Sequence, residues 1–276
     1  MGTNSIKSNL SKETAISQIK LSLGADIKKE NMIIVVEGQD DIKFLRKFCK
    51  PNTKIFESYS GKQGVEEIIC SKIINDFRVI GIRDKDYCNT PIYNRIFFYD
   101  KCCLEMMILS FDEIFESLYS EFYNGKINSY ELKELIFKEL YKISITRKYN
   151  EENGLSIKFS GLNFNNLITN DKLELPTFIN ELKKINSGKY IPNFERLLNS
   201  KVEEEVDYFN ITNGHDFLYF FKTICDKSKN NTTGISKDAI PSALRTSFSK
   251  IHFKLTKLYQ TTKEYCKNNT LYLWDC

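Results

Sequence analysis

Short apolar runs, each followed closely by acidic residues, constrain the fold of this chain most. The run Met32–Val36 leads into Glu37. A second run, Arg78–Ile82, leads into Asp84 and Asp86. Runs this short and rich in β-branched residues are typical of buried parallel strands rather than of helices. Ligands of open α/β sheets bind beyond the carboxyl ends of the strands, which is where these acids lie.

Predicted strands and helices alternate between residues 31 and about 110. The strands are predicted at Met32–Val36, Lys54–Glu57, Phe77–Ile82 and Arg95–Phe98, and the helices at Asp40–Phe48, Gly64–Asn75 and Leu104–Leu109. Such alternation indicates βαβ units with right-handed crossovers. We therefore expect residues 31–115 to form an α/β domain, a parallel sheet flanked by helices.

The rest of the chain has a different pattern. Residues 1–30 are predicted to be a polar N-terminal arm with one short helix at Ser11–Leu23, and residues 116–276 a mostly helical C-terminal region. Apolar residues recur at helical spacing in Phe111–Tyr123, Ser129–Ile145, Pro176–Lys184, His215–Lys227 and Ala239–Lys267. The Asn- and Gly-rich stretch from 151 to 171 is expected to form loops or a short hairpin.

Composition narrows the class of protein without choosing a partner. The net charge of +4 permits a nucleic-acid partner but does not indicate one. No apolar stretch reaches the roughly 18 residues that span a bilayer, and Met1–Lys12 lacks the apolar core of a secretory signal. The eight cysteines include no C-x-x-C pair, which argues against a structural zinc site. A cytoplasmic protein with reduced thiols and no membrane contact is expected.

The three acids predict a metal site. Alternate residues of an extended segment point the same way, so Asp84 and Asp86 are expected to face one site near Glu37. Carboxylates gathered there repel one another unless a divalent cation neutralises them. Carboxylate oxygens favour Mg²⁺ or Mn²⁺. Gly38 is expected to allow a tight turn and close approach of the backbone to a ligand.

Further acidic residues near these strands each have two interpretations. Asp40 and Asp41 open the next predicted helix, where they either serve the site or only cap the helix. Asp100, after the fourth strand, either joins the site or is an N-cap. Glu105 lies in an otherwise apolar helix start, where a carboxylate needs a partner or a metal unless it lies on an exposed face.

Two further segments are weaker candidates. Ser60–Gly64 resembles half a P-loop, but Gln63 replaces its Ser or Thr, so ATP binding is not supported. Lys62 at a helix N-terminus can still hold a phosphate, or the segment is a plain loop. His215, within Asn213–Asp216, is a candidate catalytic residue, with capping or packing as the alternative.

The order of these elements resembles a Toprim domain, the metal-binding fold shared by topoisomerases, primases and the OLD-family nucleases. Its strand ending in Glu-Gly is matched by Glu37-Gly38, and its later Asp-x-Asp by Asp84 and Asp86. This resemblance covers about a third of the chain, roughly residues 31–110.

Two positions favour the nuclease branch of that family. Topoisomerases often carry a third acid two places after the Asp-x-Asp, where this chain has Cys88. Glu105 instead resembles the extra acid of nuclease-type Toprims. The resemblance therefore implies a Mg²⁺- or Mn²⁺-dependent nuclease whose metal ligands are Glu37, Asp84, Asp86 and Glu105.

The longer pattern is similar to a group of small bacterial Toprim proteins that includes the Toprim effector subunit of the PARIS anti-phage systems. The matching segments are Val36–Gly38 with Asp40-Asp41, Gly61-Lys62, Asp84 and Asp86, Asp100–Glu105 and Asn213–Asp216. The resemblance implies a nuclease held inactive by an ABC-type ATPase until a phage trigger appears, with transfer RNA as a target. Toprim nucleases often act as dimers, so an active homodimer is a further expectation, although the sequence shows no dimer signature.

The expected function is hydrolysis of phosphodiester bonds in RNA, such as tRNA, or in DNA. Lys62 would contact the scissile or a flanking phosphate. A haloacid-dehalogenase-type phosphatase also places Asp-x-Asp after a strand, but after its first strand, whereas here the Glu37 strand precedes it. The other alternative is a non-catalytic Toprim binding or regulatory subunit of an ATPase complex.

Overall fold

A four-stranded parallel sheet organises the first part of the chain. The computed structural model describes residues 11–194, 198, 206–228 and 234–276. The strands are β1 Ile33–Val36, β2 Lys54–Glu57, β3 Val79–Arg83 and β4 Ile96–Phe98. The helices that precede or connect them are α1 Lys12–Ala25, α2 Gln39–Leu45 and α3 Gly61–Ile69.

The strand order is β2-β1-β3-β4, and every neighbouring pair is parallel. Val35 of β1 lies opposite Phe56 and Gly81, which places β1 and β3 side by side in the middle of the sheet. Both strands are buried along their whole length, as their continuous apolar sequences predict. The predicted α/β class with a parallel sheet is confirmed.

Gly81 sets how closely α3 packs on the sheet. A Cβ atom at this position would lie 2.8 Å from Val65 Cγ1 and 3.0 Å from Ile69 Cγ1. The same core includes Ile16 and Ile19 of α1, which are buried. The helix α1, predicted as part of a polar arm, therefore contributes Ala15, Ile16 and Ile19 to the core of the sheet unit. Residues 1–10 lie outside the described part of the chain.

The C-terminal segment also belongs to the sheet unit. Two compact units divide the described chain: residues up to Leu104 together with Phe248–Cys276, and Glu105–Ser247. Phe253 stacks on Phe48 with ring centroids 4.4 Å apart, and the Lys50 amide donates to the Leu273 carbonyl at 2.9 Å. The sequence instead assigned all residues after 115 to one helical region, because contacts this distant in sequence leave no local signal.

The helix predicted at Ala239–Lys267 is three helices. These are α10 Ala239–Ser247, α11 Lys250–Leu255 and α12 Lys257–Asn268. The breaks coincide with Ser249 and Thr256, whose hydroxyls accept hydrogen bonds from backbone amides three residues later. Local capping therefore overrides the continuous apolar periodicity that the sequence shows.

Helices and one short hairpin make up the second unit. Its helices are α4 Leu104–Leu109 (from Glu105 on), α5 Asp112–Phe122, α6 Ser129–Glu152, α7 Phe164–Leu167, α8 Leu175–Ile185, α9 Gly214–Ser228 and α10. The hairpin pairs β5 Ile168–Thr169 with β6 Lys172–Leu173, as the Asn-rich stretch allowed. Phe115, Phe217 and Phe221 form part of its aromatic core. Within the described ranges, no helix is long and apolar enough to cross a bilayer.

Candidate metal centre

Glu37 and Asp84 meet at the carboxyl edge of the sheet. Glu37 follows the last residue of β1, and Asp84 follows the last residue of β3. Because β1 and β3 are parallel neighbours, both acids lie at the same end, and the Asp84 amide donates a hydrogen bond to Glu37 Oε1 at 2.8 Å. A second backbone bond, from the Leu104 amide to Asp84 Oδ1 at 3.0 Å, orients the aspartate.

Asp86 reaches the same edge through a turn, not through an extended strand. Its φ is +50°, in the left-handed region, and its amide donates to the Cys102 carbonyl at 2.7 Å. Aspartate tolerates this conformation better than most residues. The expected alternation of Asp84 and Asp86 along an extended segment is therefore not what the chain does.

Glu37, Asp84 and Asp86, called the acidic edge below, lie against the start of α3. Lys62 Nζ lies 2.9 Å from Asp86 Oδ2. An added Cβ at Gly61, whose φ is +50°, would lie 3.6 Å from Glu37 Oε2. The Ser60–Gly64 segment is thus part of the site, and it brings a positive charge to it.

The environment of Glu37 favours its protonated form. Burial, together with the charges of Asp41 and Asp86, raises the pKa of Glu37 to about 7. The hydrogen bond from the Asp84 amide and the charge of Arg83 act in the opposite direction. Carboxyl groups whose pKa is raised by burial and by neighbouring charges are frequent at functional sites.

Arg83 is a component of this edge that sequence reasoning missed. Only 2% of its surface is exposed. Its guanidinium donates to the Asp84 carbonyl, pairs with Glu66 at 2.7 Å and lies 4.5 Å from the centre of the Phe98 ring. The sequence feature that could have identified Arg83 is its position as a charged residue at the end of the apolar run before Asp84.

Asp41 is held by two hydrogen bonds beside the site. The Gly38 amide donates to its Oδ2 at 2.9 Å, which is a helix-capping contact. The hydroxyl of Tyr99 donates to its Oδ1 at 2.7 Å. Burial, and then the charge of Asp41, raises the pKa of Tyr99 well above its usual range. Asp41 therefore caps α2 and also adds charge close to Glu37.

Gly38 is not conformationally required. Its backbone is extended, with φ −158° and ψ −175°, a conformation that any residue adopts. An added Cβ would meet only Asp41 Oδ2, at an ordinary 3.9 Å. The expected glycine-dependent turn at this position is absent from the described structure.

Asp100 caps a distant helix. Its two carboxylate oxygens accept hydrogen bonds from the amides of Lys257 at 2.7 Å and Leu258 at 2.8 Å, the first two residues of α12. The sequence offered a site role or an N-cap role. Asp100 instead accepts from a helix more than 150 residues away, whose own N-cap residue is Thr256.

Glu105 and His215 belong to the second unit. An added Cβ at Gly214 would lie 2.1 Å from Glu105 Oε2, so the Glu105 side chain packs directly on the backbone at the start of α9. His215 is exposed, and its amide donates to Asn213 Oδ1 at 3.1 Å. The buried Asp216 carboxylate forms two hydrogen bonds with Arg147, at 2.6 and 2.7 Å.

The donor chemistry of the acidic edge fits a hard divalent cation. Its side chains offer carboxylate oxygens, the ligands that Mg²⁺ prefers. Among the residues that the structure describes, however, no three His, Cys, Asp or Glu side chains are already arranged to hold a metal ion. In this structure Lys62 supplies a positive charge beside Asp86.

A cleft lies beside β4 and adjoins the acidic edge in sequence. Its volume is about 590 Å³. Lys85, the residue between the two aspartates, lines it together with Lys257, Tyr93 and Asn94. Lysines, an aromatic ring and an amide side chain are the groups that hold phosphates and bases.

The sequence matches no model of a known protein family, and it matches none of the curated proteins compared with it.

Proposed function

We propose that this chain is a metal-dependent nuclease of the Toprim type, which hydrolyses phosphodiester bonds in RNA or DNA. The supporting observation is the contact between the Asp84 amide and Glu37 Oε1, which joins the acidic ends of the two central strands. Asp86 and Asp41 add charge close enough to raise the pKa of Glu37. Such a cluster is suited to chemistry on an anionic substrate only when a cation neutralises it.

Each residue of the site has a proposed role. Glu37, Asp84 and Asp86 would hold Mg²⁺ or Mn²⁺. A bound divalent cation at such a site activates water and stabilises charge on the reacting oxygens. Lys62 would hold a phosphate of the substrate.

Two residues that sequence reasoning missed would keep this edge in place. Arg83 fixes the backbone at Asp84 through its hydrogen bond to that carbonyl. Tyr99 fixes Asp41 through its hydroxyl.

The cleft beside β4 supports a nucleic-acid substrate. Its two lysines would attract the phosphate backbone, and Tyr93, which is 38% exposed, offers a ring for an unpaired base. The one acid in its wall, Asp100, directs both oxygens to backbone amides. Unpaired segments such as tRNA loops fit this chemistry better than continuous duplex.

The biological setting is proposed from the resemblance alone. The chain would be the toxic effector of a bacterial anti-phage defence system of the PARIS type, acting in the cytoplasm. An ABC-type ATPase would hold it inactive until infection, and a homodimer would be the active form. Abortive infection by tRNA cleavage would follow.

Cleavage by the chain in complex with its ATPase partner and trigger tests this proposal. With Mg²⁺, wild-type protein should cut tRNA or single-stranded RNA or DNA, and Glu37→Gln should lose the activity while keeping its fold. Asp40→Asn is the matched control, because Asp40 is an exposed neighbour paired with Lys43. Full cleavage by Glu37→Gln would show that the assignment is wrong.

The alternative is a non-catalytic Toprim subunit that binds metal or nucleic acid for an ATPase complex. Two observations favour it: no group of three ligands is already arranged in the described residues, and Lys62 is paired with Asp86. Loss of Mg²⁺ binding in Asp84→Asn, together with no cleavage by the wild-type triggered complex, would favour this alternative over the nuclease.

A further inference from the structure

The ion pair between Lys62 and Asp86 places a cation where the proposed metal would bind. Lys62 Nζ lies 2.9 Å from Asp86 Oδ2, and the two side chains are 38% and 23% exposed. The pair Lys43–Asp40, by contrast, is 3.4 Å apart with side chains 59% and 48% exposed. The pair at the acidic edge is thus closer and better shielded from solvent, so its charges interact more strongly.

Packing at the start of α3 fixes the backbone position of Lys62. Ser58 Oγ donates to the Gly61 carbonyl at 2.7 Å, which closes the turn immediately before Lys62. An added Cβ at Gly64 would lie 3.0 Å from the same Ser58 oxygen, so the first turn of α3 packs tightly on the end of β2. With its backbone held in this way, Lys62 changes partner only through its flexible four-carbon stem.

We propose that Lys62 is a resident counter-ion of the acidic edge, displaced from Asp86 by the incoming divalent cation and thereby released to hold a substrate phosphate. In the metal-free protein its ammonium group offsets part of the repulsion among clustered carboxylates. A divalent cation provides more charge and more ligand bonds, so it takes over Asp86. The inference depends on the proposed metal site.

This exchange links metal loading to substrate binding. The ammonium group of Lys62 cannot form strong contacts with Asp86 and with a phosphate at the same time. Metal binding at Asp86 therefore makes Lys62 available to the phosphate. By thermodynamic linkage, a bound phosphate then also favours the metal. Without metal, Lys62 stays on Asp86, and the protein holds nucleic acid weakly at this point.

Mn²⁺ affinity and cleavage rate should change in opposite directions in Lys62→Met. Calorimetric titration should show about five- to tenfold tighter Mn²⁺ binding than wild type, because a partly buried ion pair worth roughly 1 kcal/mol no longer competes. Cleavage at saturating Mn²⁺ should fall at least tenfold, because the phosphate loses its cation. Lys62→Arg, which keeps the charge, should stay within about threefold of wild type in affinity, and Lys43→Met should match wild type in both measurements.

The outcomes separate this inference from the proposed function. If Mn²⁺ binds wild type and Lys62→Met equally, or more weakly in the variant, Lys62 is not a resident counter-ion, and the metal site still stands. If Lys43→Met tightens binding as much as Lys62→Met, general loss of positive charge explains the effect and the inference fails. If neither wild type nor Lys62→Met binds Mn²⁺, the metal site itself fails. Thermal unfolding without metal verifies that Lys62→Met is folded.

Discussion

At Glu37, burial and the charges of two neighbouring carboxylates, Asp41 and Asp86, all raise the pKa of the side chain. The unfolded chain has no such environment, so its glutamate titrates near the ordinary value of 4.5, whereas burial and the neighbouring charges raise the pKa in the folded protein to about 7. Between these two values the folded state holds a proton that the unfolded state releases. Stability must therefore fall as pH rises through this window.

The metal-free protein should lose stability between about pH 4.5 and pH 7. Denaturant unfolding at a series of pH values measures this, and Glu37→Gln should reduce the loss, because a neutral amide does not titrate. Above pH 7, Mg²⁺ should restore stability to wild type and have a smaller effect on Glu37→Gln. The same pH slope in both proteins would contradict the electrostatic account of Glu37.

A substitution at Asp100 distinguishes a structural role, holding the start of α12, from a role in metal binding. Asp100→Ala removes acceptors from two amides of α12 and should lower the free energy of unfolding by about 1–2 kcal/mol. Mn²⁺ affinity, measured by titration, should stay at the wild-type value. A tenfold loss of affinity with unchanged stability would return Asp100 to the metal site.

Single residues could be predicted where the sequence itself carries the cause. Glu37 follows its apolar run directly and Asp84 follows its run after one residue, Arg83, so the local sequence predicts their positions at the strand ends. The left-handed turn that carries Asp86 and the contact between Tyr99 and Asp41 depend on where other elements lie. No local pattern indicates such contacts.

At the scale of elements, runs with a single strong period were predicted best. β2 and α4 have the predicted bounds. α3 begins at Gly61 rather than at Gly64, which moves Lys62 from a loop into the first turn of a helix. That difference of three residues matters, because it sets the direction in which the lysine points.

The start of α9 depends on a glycine. A methyl group at Gly214 would overlap the carboxylate of Glu105, with its Oε2 only 2.1 Å from the added Cβ. Gly214→Ala should therefore destabilise the protein by about 1–3 kcal/mol, as overpacked sites do. Denaturant unfolding measures the change.

A double substitution isolates this contact. Gly214→Ala with Glu105→Ala should recover part of the lost stability, because the two nearest atoms of the Glu105 side chain are gone. Gly24→Ala is the control, since nothing lies within 4 Å of an added Cβ there. Equal losses in the single and double variants would exclude Glu105 as the cause.

At the scale of the whole molecule, the sheet unit is discontinuous in sequence. Phe248–Cys276 joins the residues before Glu105, although 143 residues, Glu105–Ser247, lie between them in the chain. Strand and helix patterns in the sequence cannot show that this C-terminal segment joins the N-terminal sheet unit, since the aromatic residues involved are typical of any core. The sheet class was predictable; the path of the chain around it was not.

Phe253 should be essential to this unit. It is fully buried and lies against Phe48 and Trp274, so Phe253→Ala should cost about 3–5 kcal/mol of unfolding free energy. Ile251→Ala, in the same helix but 73% exposed, should have little effect. Similar small changes in both variants would mean that the C-terminal segment is dispensable to the sheet unit.

The central claim is that the acidic edge binds a divalent cation, and titration of Mn²⁺ followed by electron paramagnetic resonance tests it most directly. Wild-type protein should bind Mn²⁺ and release it to excess Mg²⁺. Asp84→Asn should weaken binding at least tenfold while keeping its fold, because it removes a charged ligand. The account is contradicted if wild type and Asp84→Asn bind Mn²⁺ equally, or if wild type binds none.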